Sequence, residues 1–401
     1  KEGGNGMRKG WEYKKLGEVC CPKSKIQRAT KCFGGSDEIL YIDISSIDNS
    51  VQEVNSITSF TMSNAPSRAQ QKVEYGDIIV STVRPNLKNV AFIKQHDSNL
   101  VASSGFCVLR TTDDIERNYL FRYITSDIFT QHLMKLTTGA NYPAVRDLDV
   151  RDSTIPLPPK STQLAIVSEL DKINELIRLK KEQLKDFDNL AQSLFYEMFG
   201  DPVENEMGWE VKKLDNVCNI TSSKRIFADE YTNTGIPFYR SKEVIERSKG
   251  LPISVELFIS EERYNEIKEK FGVPKIGDIL ITAVGTIGKI WAIDTDNKFY
   301  FKDGNLVWLK DIDNQLANSC FFRRLLEYLI EEYKKTNANG AAYNALTIAK
   351  LKLMSCPLPP LSLQRLFAQR IEQIEREKSE VQKSIQDLET LLASRMQYWF
   401  E

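Results

Sequence analysis

The chain has 401 residues, enough for two domains with separate cores at ~100–200 residues each. Hydrophobic residues make up 41% and charged residues 27%, as in an ordinary globular protein, and 54 Lys+Arg against 55 Asp+Glu give a formal net charge of −1. That balance excludes a chain coated with basic charge, so any nucleic-acid surface must be local. No apolar run approaches the ~18 residues of a membrane span. Two histidines, His96 and His132, exclude a His-rich metal site. Seven cysteines without a C-x-x-C pair predict reduced thiols in a cytoplasmic protein.

In chain order, "KEGGNG" before Met7 reads as an expression scar or linker (residues 1–6) and is left out of the fold. Residues 7–160 read as a mixed α/β head. "GWEYKKLGEVC" is its amphipathic opening, anchored by Trp11. "DEILYIDISSI" and "GDIIVSTVRP" run apolar or alternate, with β-branched residues and a following turn residue: strands. "NYLFRYITSDIFTQHLMKL" reads as an amphipathic helix before Gly139. "IPLPPKSTQ" then punctuates, with Ser161 or Thr162 placed as an N-cap. Residues 161–200 read as a long helix. Its seam runs Ile166, Leu170, Ile173, Ile177, Lys180, Leu184, Phe187, Ala191, Leu194, Met198, alternating steps of 4 and 3 as in a heptad.

The second half repeats the first. "GWEVKKLDNVC" opens residues 201–360, with Trp209 as anchor. "IGDILITAV" matches "YGDIIVSTV" at an offset of 201, and "GDILITAVGTIGKIWAI" reads as two strands around a glycine turn. "SCFFRRLLEYLIEEYKK" reads as a helix, and "CPLPPLSLQ" returns at the same offset with Ser362 as N-cap. Residues 361–401 are a second helix with the seam Phe367, Ile371, Ile374, Lys378, Val381, Ile385, Leu388, Leu392, Arg395, Trp399. The period is far above the ~20–50 residues of solenoid arrays, so the duplicated unit is a domain plus a helix. The fold class is therefore α+β. Two similar α/β heads are separated by two long antiparallel coiled-coil helices with an internal pseudo-two-fold repeat.

Catalytic constellations are missing from the sequence. It has no G-x-x-x-x-G-K-[ST] loop, no H-E-x-x-H, no G-x-S-x-G and no amino-methyltransferase motif. "GTIGK" (Gly285–Lys289) lacks the phosphate-loop length. Glu12-x-Lys14 and Glu210-x-Lys212 lack a convincing acidic partner for a nuclease metal site. Two heads that bind without catalysis remain. They suit DNA recognition, or a coiled-coil scaffold whose heads bind protein, or a free-standing nuclease with a cryptic site.

At these residues the chain resembles the specificity subunit of type I restriction–modification systems. The resemblance rests on "GWExKKLxxVC", on "GDIIVST" and "GDILITA", on "GANYPAV" and "GAAYNAL", and above all on Pro-Leu-Pro-Pro-x-x-x-Gln, twice, before heptad helices. It implies two target-recognition domains, each reading one half of a bipartite double-stranded DNA site. It also implies helices that space them and dock two methyltransferase subunits, with restriction subunits joining through these. It further implies no cofactor on this chain, with S-adenosylmethionine, ATP and Mg on the partners.

The candidate DNA contacts follow from chemistry: cations for phosphates, Arg for guanine and Asn for adenine. In the first head they are Lys25 and Arg28, with Lys23 and Gln27 beside them; Arg84, Asn86 and Lys88; and Asn141, Tyr142 and Arg146. In the second they are Lys224 and Arg225, beside Ser222 and Ser223; Tyr239 and Arg240, beside Ser241; Lys289, beside Thr286; and Tyr343 and Asn344. Arg84-Pro85-Asn86 faces Gly285-Thr286-Ile287 across the repeat, and unlike loops on like frames imply unlike half-sites. The seam from Ile166 to Met198 spans roughly 48 Å at ~1.5 Å per residue. At ~3.4 Å per base pair that matches on the order of 14 base pairs between half-site centres.

Overall fold

A computed structural model describes residues 10–139, 142–337 and 345–401. The chain divides into two compact units, residues 1–182 with 382–401, and residues 183–381. Each unit holds one head and a part of each of two long helices, Lys160–Phe199 and Leu361–Phe400. Neither helix contains Gly or Pro, so nothing in the covalent chain interrupts 40 residues of regular hydrogen bonding in either.

In the first head a four-stranded sheet runs Thr58–Thr61, Glu38–Ile42, Leu100–Ser103, Ala69–Lys72. A three-stranded sheet runs Phe106–Leu109, Ile78–Ser81, Val90–Phe92. Every residue of Ile78–Ser81 is buried, which is why it reads as a continuous apolar run. The second head rebuilds this plan. Ile279–Thr282 lies between Leu306–Lys310 and Ile290–Ala292, and Ile236–Tyr239 pairs in parallel with Tyr300–Phe301.

The helix expected over "NYLFRYITSDIFTQHLMKL" is two helices, Arg117–Ile124 and Asp127–Leu136. Ser126 stops the first and caps the second, its hydroxyl accepting from the Phe129 N–H at 3.2 Å. Its counterpart in the second head, Ser319–Asn337, has no such capping residue and runs unbroken.

The proline element does more than punctuate, which corrects the sequence expectation. Glu12–Lys15 is a strand antiparallel to Thr154–Leu157, with Tyr13 opposite Pro156. Glu210–Lys213 pairs with Ser355–Leu358 in the same register, Val211 opposite Pro357. Each ladder has only two strands, so every strand is an edge and can hold a proline that donates nothing. The cap assignment is corrected too. The helices open at Lys160 and Leu361, so Ser161, Thr162 and Ser362 lie inside the first turn. Pro159 and Pro360 stand at the entry, and their carbonyls accept from the Gln163 and Gln364 N–H groups at 3.1 and 3.2 Å.

The glutamine that ends each proline element is a latch. The Gln163 side-chain oxygen accepts from the Glu116 N–H at 2.7 Å, and its amide donates to the Pro158 carbonyl at 2.9 Å. Gln364 repeats this with the Asn318 N–H at 2.8 Å and the Pro359 carbonyl at 2.8 Å. Both are almost wholly buried, at 1% and 0% exposure. Each latch ties the first turn of a long helix to the loop before a head helix. Gln163→Ala or Gln364→Ala leaves a buried N–H without its acceptor, and each is expected to cost about 1–3 kcal/mol in urea unfolding. A cost below a few tenths in both would show that the latch is not maintained in solution.

The helices pair antiparallel in each unit. In the first, Glu169 forms an ion pair with Arg395 and accepts from the Trp399 indole at 3.1 Å, and Lys181 meets Glu389 at 2.9 Å. In the second, Asp188 meets Lys378 at 2.7 Å, and the Phe195 and Phe367 rings lie edge to face at 5.7 Å. As one residue number rises the other falls, the signature of antiparallel register. Lys378 and Arg395, the charged interruptions of the second seam, are thus answered by carboxylates of the facing helix.

The seam residues follow suit. In the first unit Ile166, Leu170, Ile173, Ile177 and Ile385 are buried, and Leu388 and Leu392 half-buried. In the second Leu194, Phe367, Ile371, Ile374 and Val381 are buried, and Leu184 and Phe187 half-buried. Ile166, Leu170 and Phe400 join the core of the first head, and Phe195, Phe199 and Phe367 that of the second. Each head therefore packs against the start of one helix and the end of the other. The opening tryptophans fasten those ends. Trp11 stacks on Trp399 at 6.2 Å, and the Trp209 indole donates to the Phe199 carbonyl at 2.8 Å.

All seven cysteines are free thiols. Burial pushes Cys20, Cys218 and Cys356 up to about 12. A thiol raised this far is almost wholly protonated at pH 8 and so a poor nucleophile. These three are expected to resist alkylation in the native chain and to react on denaturation, which peptide mapping would show. Rapid native labelling of any of them would contradict the burial.

Candidate nucleic-acid interface

In the first head one run of backbone hydrogen bonds gathers five segments along a rim. Arg28 bridges to Gln71, and the Lys72 N–H donates to the Gln27 carbonyl at 2.9 Å. Strand Ala69–Lys72 follows Arg68, whose carbonyl accepts from the Ser104 N–H at 2.8 Å. The next residue, Gly105, accepts from the Thr82 N–H at 2.9 Å, and the Thr82 carbonyl accepts from Val145 at 2.9 Å. The Arg84 N–H donates to Pro143 at 2.7 Å. The order along the rim is thus residues 25–32, 68–72, 104–105, 82–88 and 142–146.

The second head repeats the key bonds at offsets of 200 and 201. Ala283 N–H donates to Asn305 at 2.8 Å, and Leu346 N–H to the Ala283 carbonyl at 2.9 Å. There Ser222, Ser223, Ala283, Gly304, Leu346 and Thr347 line a cleft of about 420 Å³.

Ion pairing decides which cations are available to a phosphate. Lys25, Arg28, Lys31, Arg68, Lys72 and Arg84 have no carboxylate partner among the described residues. All but the half-buried Lys72 are exposed. These six fall on the rim. Arg68 and Lys72 were missed from sequence because they flank a strand interior, and only the fold carries that strand to residues 27–28.

Other candidates are taken internally. The Lys88 ammonium meets Asp127 at 2.6 Å and the Thr125 carbonyl at 3.3 Å. Arg146 pairs with Asp149 at 2.7 Å on its own first helical turn, though it stays 78% exposed. Asn86 and Tyr142 are exposed on the rim. In the second head Arg225 pairs with Asp303 at 2.8 Å. Arg240 holds buried Glu243 at 3.0 Å and Glu256 at 2.8 Å, and these hydrogen bonds raise its already high pKa. Lys242 and then Arg240 pull Glu256 down to about 2.

Tyr239 is corrected from an interface residue to a core residue. It is 4% exposed and stacks on Phe299 at 4.6 Å. Lys224 and Lys289 keep no carboxylate partner among the described residues, and the Lys224 ammonium lies 5.0 Å from the Phe271 ring. Asn141, Tyr343 and Asn344 lie outside the described residues.

At one matching position of the rim the two heads share a positive φ but carry different residues. Arg84 has φ +50° and ψ +62°, left-handed, and Gly285 at the matching position has φ +75°. The left-handed region costs a non-glycine residue roughly 1–2 kcal/mol. The Arg84 guanidinium lies over the Tyr142 ring at 4.6 Å.

Two heads on one frame, with unlike loops at matching rims and an antiparallel helix pair, define a two-headed recognition protein. Residues 8–186 and 206–390 match the family profile of the type I restriction modification DNA specificity domain, and the chain belongs to that family. It is similar to a Haemophilus influenzae protein assigned as the type I restriction enzyme specificity subunit S.HindORF215P, at 27% identity over 68% of each chain. The type I restriction enzyme MjaIX specificity subunit of Methanocaldococcus jannaschii is 25% identical over 78% of this chain and 74% of its own.

A solved chain from work on complex assembly and conformational transition of the type I R-M system is 28% identical, with a TM-score of 0.69 over 98% of each chain. The S subunit of M. genitalium shares the fold at 15% identity and a TM-score of 0.50, over 100% of this chain and 98% of its own. The family sets aside the scaffold reading of the two heads. Among the described residues no helix is long and apolar enough to cross a membrane.

Proposed function

We propose that this chain is the non-catalytic, cytoplasmic DNA-reading subunit of a type I restriction–modification complex. Each head reads one half of a bipartite, asymmetric site in double-stranded DNA. The long helices set the spacing of the half-sites and dock two methyltransferase subunits, through which restriction subunits join. S-adenosylmethionine, ATP and Mg are held by those partners. The observation that carries the reading is the rim of cations in the first head that have no carboxylate partner among the described residues, bounded by exposed Asn86 and Tyr142. Cations position on phosphates, and polar side chains between them reach base edges.

The first head has only a small surplus, 21 Lys+Arg against 18 Asp+Glu over residues 1–160. Non-specific affinity follows the number of phosphates neutralised, so the isolated chain should bind DNA weakly. Titrating labelled duplex with the chain alone and with its methyltransferase subunits tests this. Tight, salt-sensitive and sequence-specific binding is expected only in the complex. Equal specific affinity with and without the partners contradicts the division of labour. DNA cleavage by the chain alone with Mg would return the nuclease reading.

A further inference from the structure

We propose that Arg84 is the guanine-reading residue of the first head, held in place over Tyr142, and that the second head has no counterpart to it. The proposal rests on the DNA-reading function above and names one base for it.

Three observations on one residue converge. Position 84 requires a left-handed backbone, and the sister repeat meets that requirement with Gly285. The first head places arginine there instead, at a conformational cost that glycine avoids. No buried or ionic contact accounts for the choice. The guanidinium has no carboxylate partner among the described residues, and its ring neighbour Tyr142 is 67% exposed. An arginine kept for packing would be buried or paired, whereas this one is strained, exposed and oriented.

The orientation has a use. The guanidinium carbon lies over the Tyr142 ring, 4.6 Å from its centre, so the ring occupies one side of the group and limits where it can swing while N–H donors are left for a ligand. Two parallel donors of a guanidinium match the O6 and N7 acceptors of guanine in the major groove. Adenine offers a donor at N6 in place of O6 and is rejected by the same edge. Gly285 offers no side chain, so the second half-site is read at this place by neighbouring groups.

The test uses the complex with its methyltransferase subunits. Each guanine of the recognised site is replaced singly by 7-deazaguanine, which lacks the N7 acceptor. The wild-type complex is expected to lose about 10-fold in affinity at one guanine of one half-site. In Arg84→Gly that penalty should vanish, all other positions should keep theirs, and the melting temperature should hold or rise. Arg84→Lys keeps the charge but not the paired donors, and should also lose the discrimination.

Unchanged discrimination at every guanine in Arg84→Gly overturns the proposal while leaving the DNA-reading function intact. A lowered melting temperature, with weakened binding spread over both half-sites, assigns Arg84 to structure and likewise overturns it. A wild-type complex that binds no sequence preferentially removes the DNA reading and this proposal together.

Discussion

Inserting seven residues into both long helices is expected to widen the gap between the recognised half-sites by about three base pairs. Seven residues add ~10.5 Å of helix, and a base pair rises ~3.4 Å. A whole heptad keeps the seam facing its partner, so Ile173 and Ile177 on one helix and Val381 and Ile385 on the other still find apolar layers. Insertion between Glu182 and Gln183, with a matching insertion after Val381, leaves the ion pairs Glu169–Arg395 and Asp188–Lys378 in place. Two residues inserted into both helices instead turn the seam by about 200°, so the buried faces no longer meet, and the variant should lose cooperative unfolding. Sequencing the methylated sites made by the heptad variant reads the gap directly. An unchanged gap would sink the proposal that the helices measure the site.

Changing Lys25, Arg28, Arg68 and Lys72 together to glutamine is expected to weaken binding to every sequence alike. Each phosphate contact contributes about 0.9 to the slope of log affinity against log salt, so the slope should fall by about three to four units. Specificity in both half-sites should survive, because these cations position and do not read. None of the four has a carboxylate partner among the described residues, so the melting temperature should hardly move. Changing Lys14, Lys15, Lys94 and Arg122, which pair with Glu12, Asp152, Glu53 and Asp171, serves as the charge-matched control on the same head. If that control lowers the slope as much, the rim is not the footprint.

What the loops do chemically was only partly legible. Arg84 opposite Gly285 stood in the aligned repeats, and a glycine facing an arginine was the available signal of a left-handed position. Its φ of +50° and its place over the Tyr142 ring were not visible, because the ring belongs to a loop 58 residues further on. Lys88 and Arg240 looked as free as Lys25. Asp127, the partner of Lys88, lies 39 residues away, and Glu256, the second partner of Arg240 after the nearby Glu243, lies 16 away, and nothing local marks a distant ion pair. Tyr239 read as a loop aromatic beside Arg240, but the strand Ile236–Tyr239 turns it onto Phe299.

By itself the amino-acid sequence determined the duplication, the two α/β heads and the two heptad helices. These rest on local periodicity and on a repeat that can be counted without folding the chain. The proline element was legible as a handover and misread in detail. Pro156 and Pro357 sit in strands because Tyr13 and Val211, more than 140 residues earlier, come to lie opposite them. Gln163 and Gln364 became latches only when Glu116 and Asn318 arrived to donate to them. Which cations stay unpaired was likewise decided by tertiary structure. Charge is a property of a residue, but availability depends on the burial and pairing that the rest of the chain imposes, and one stretch of sequence does not contain its partners.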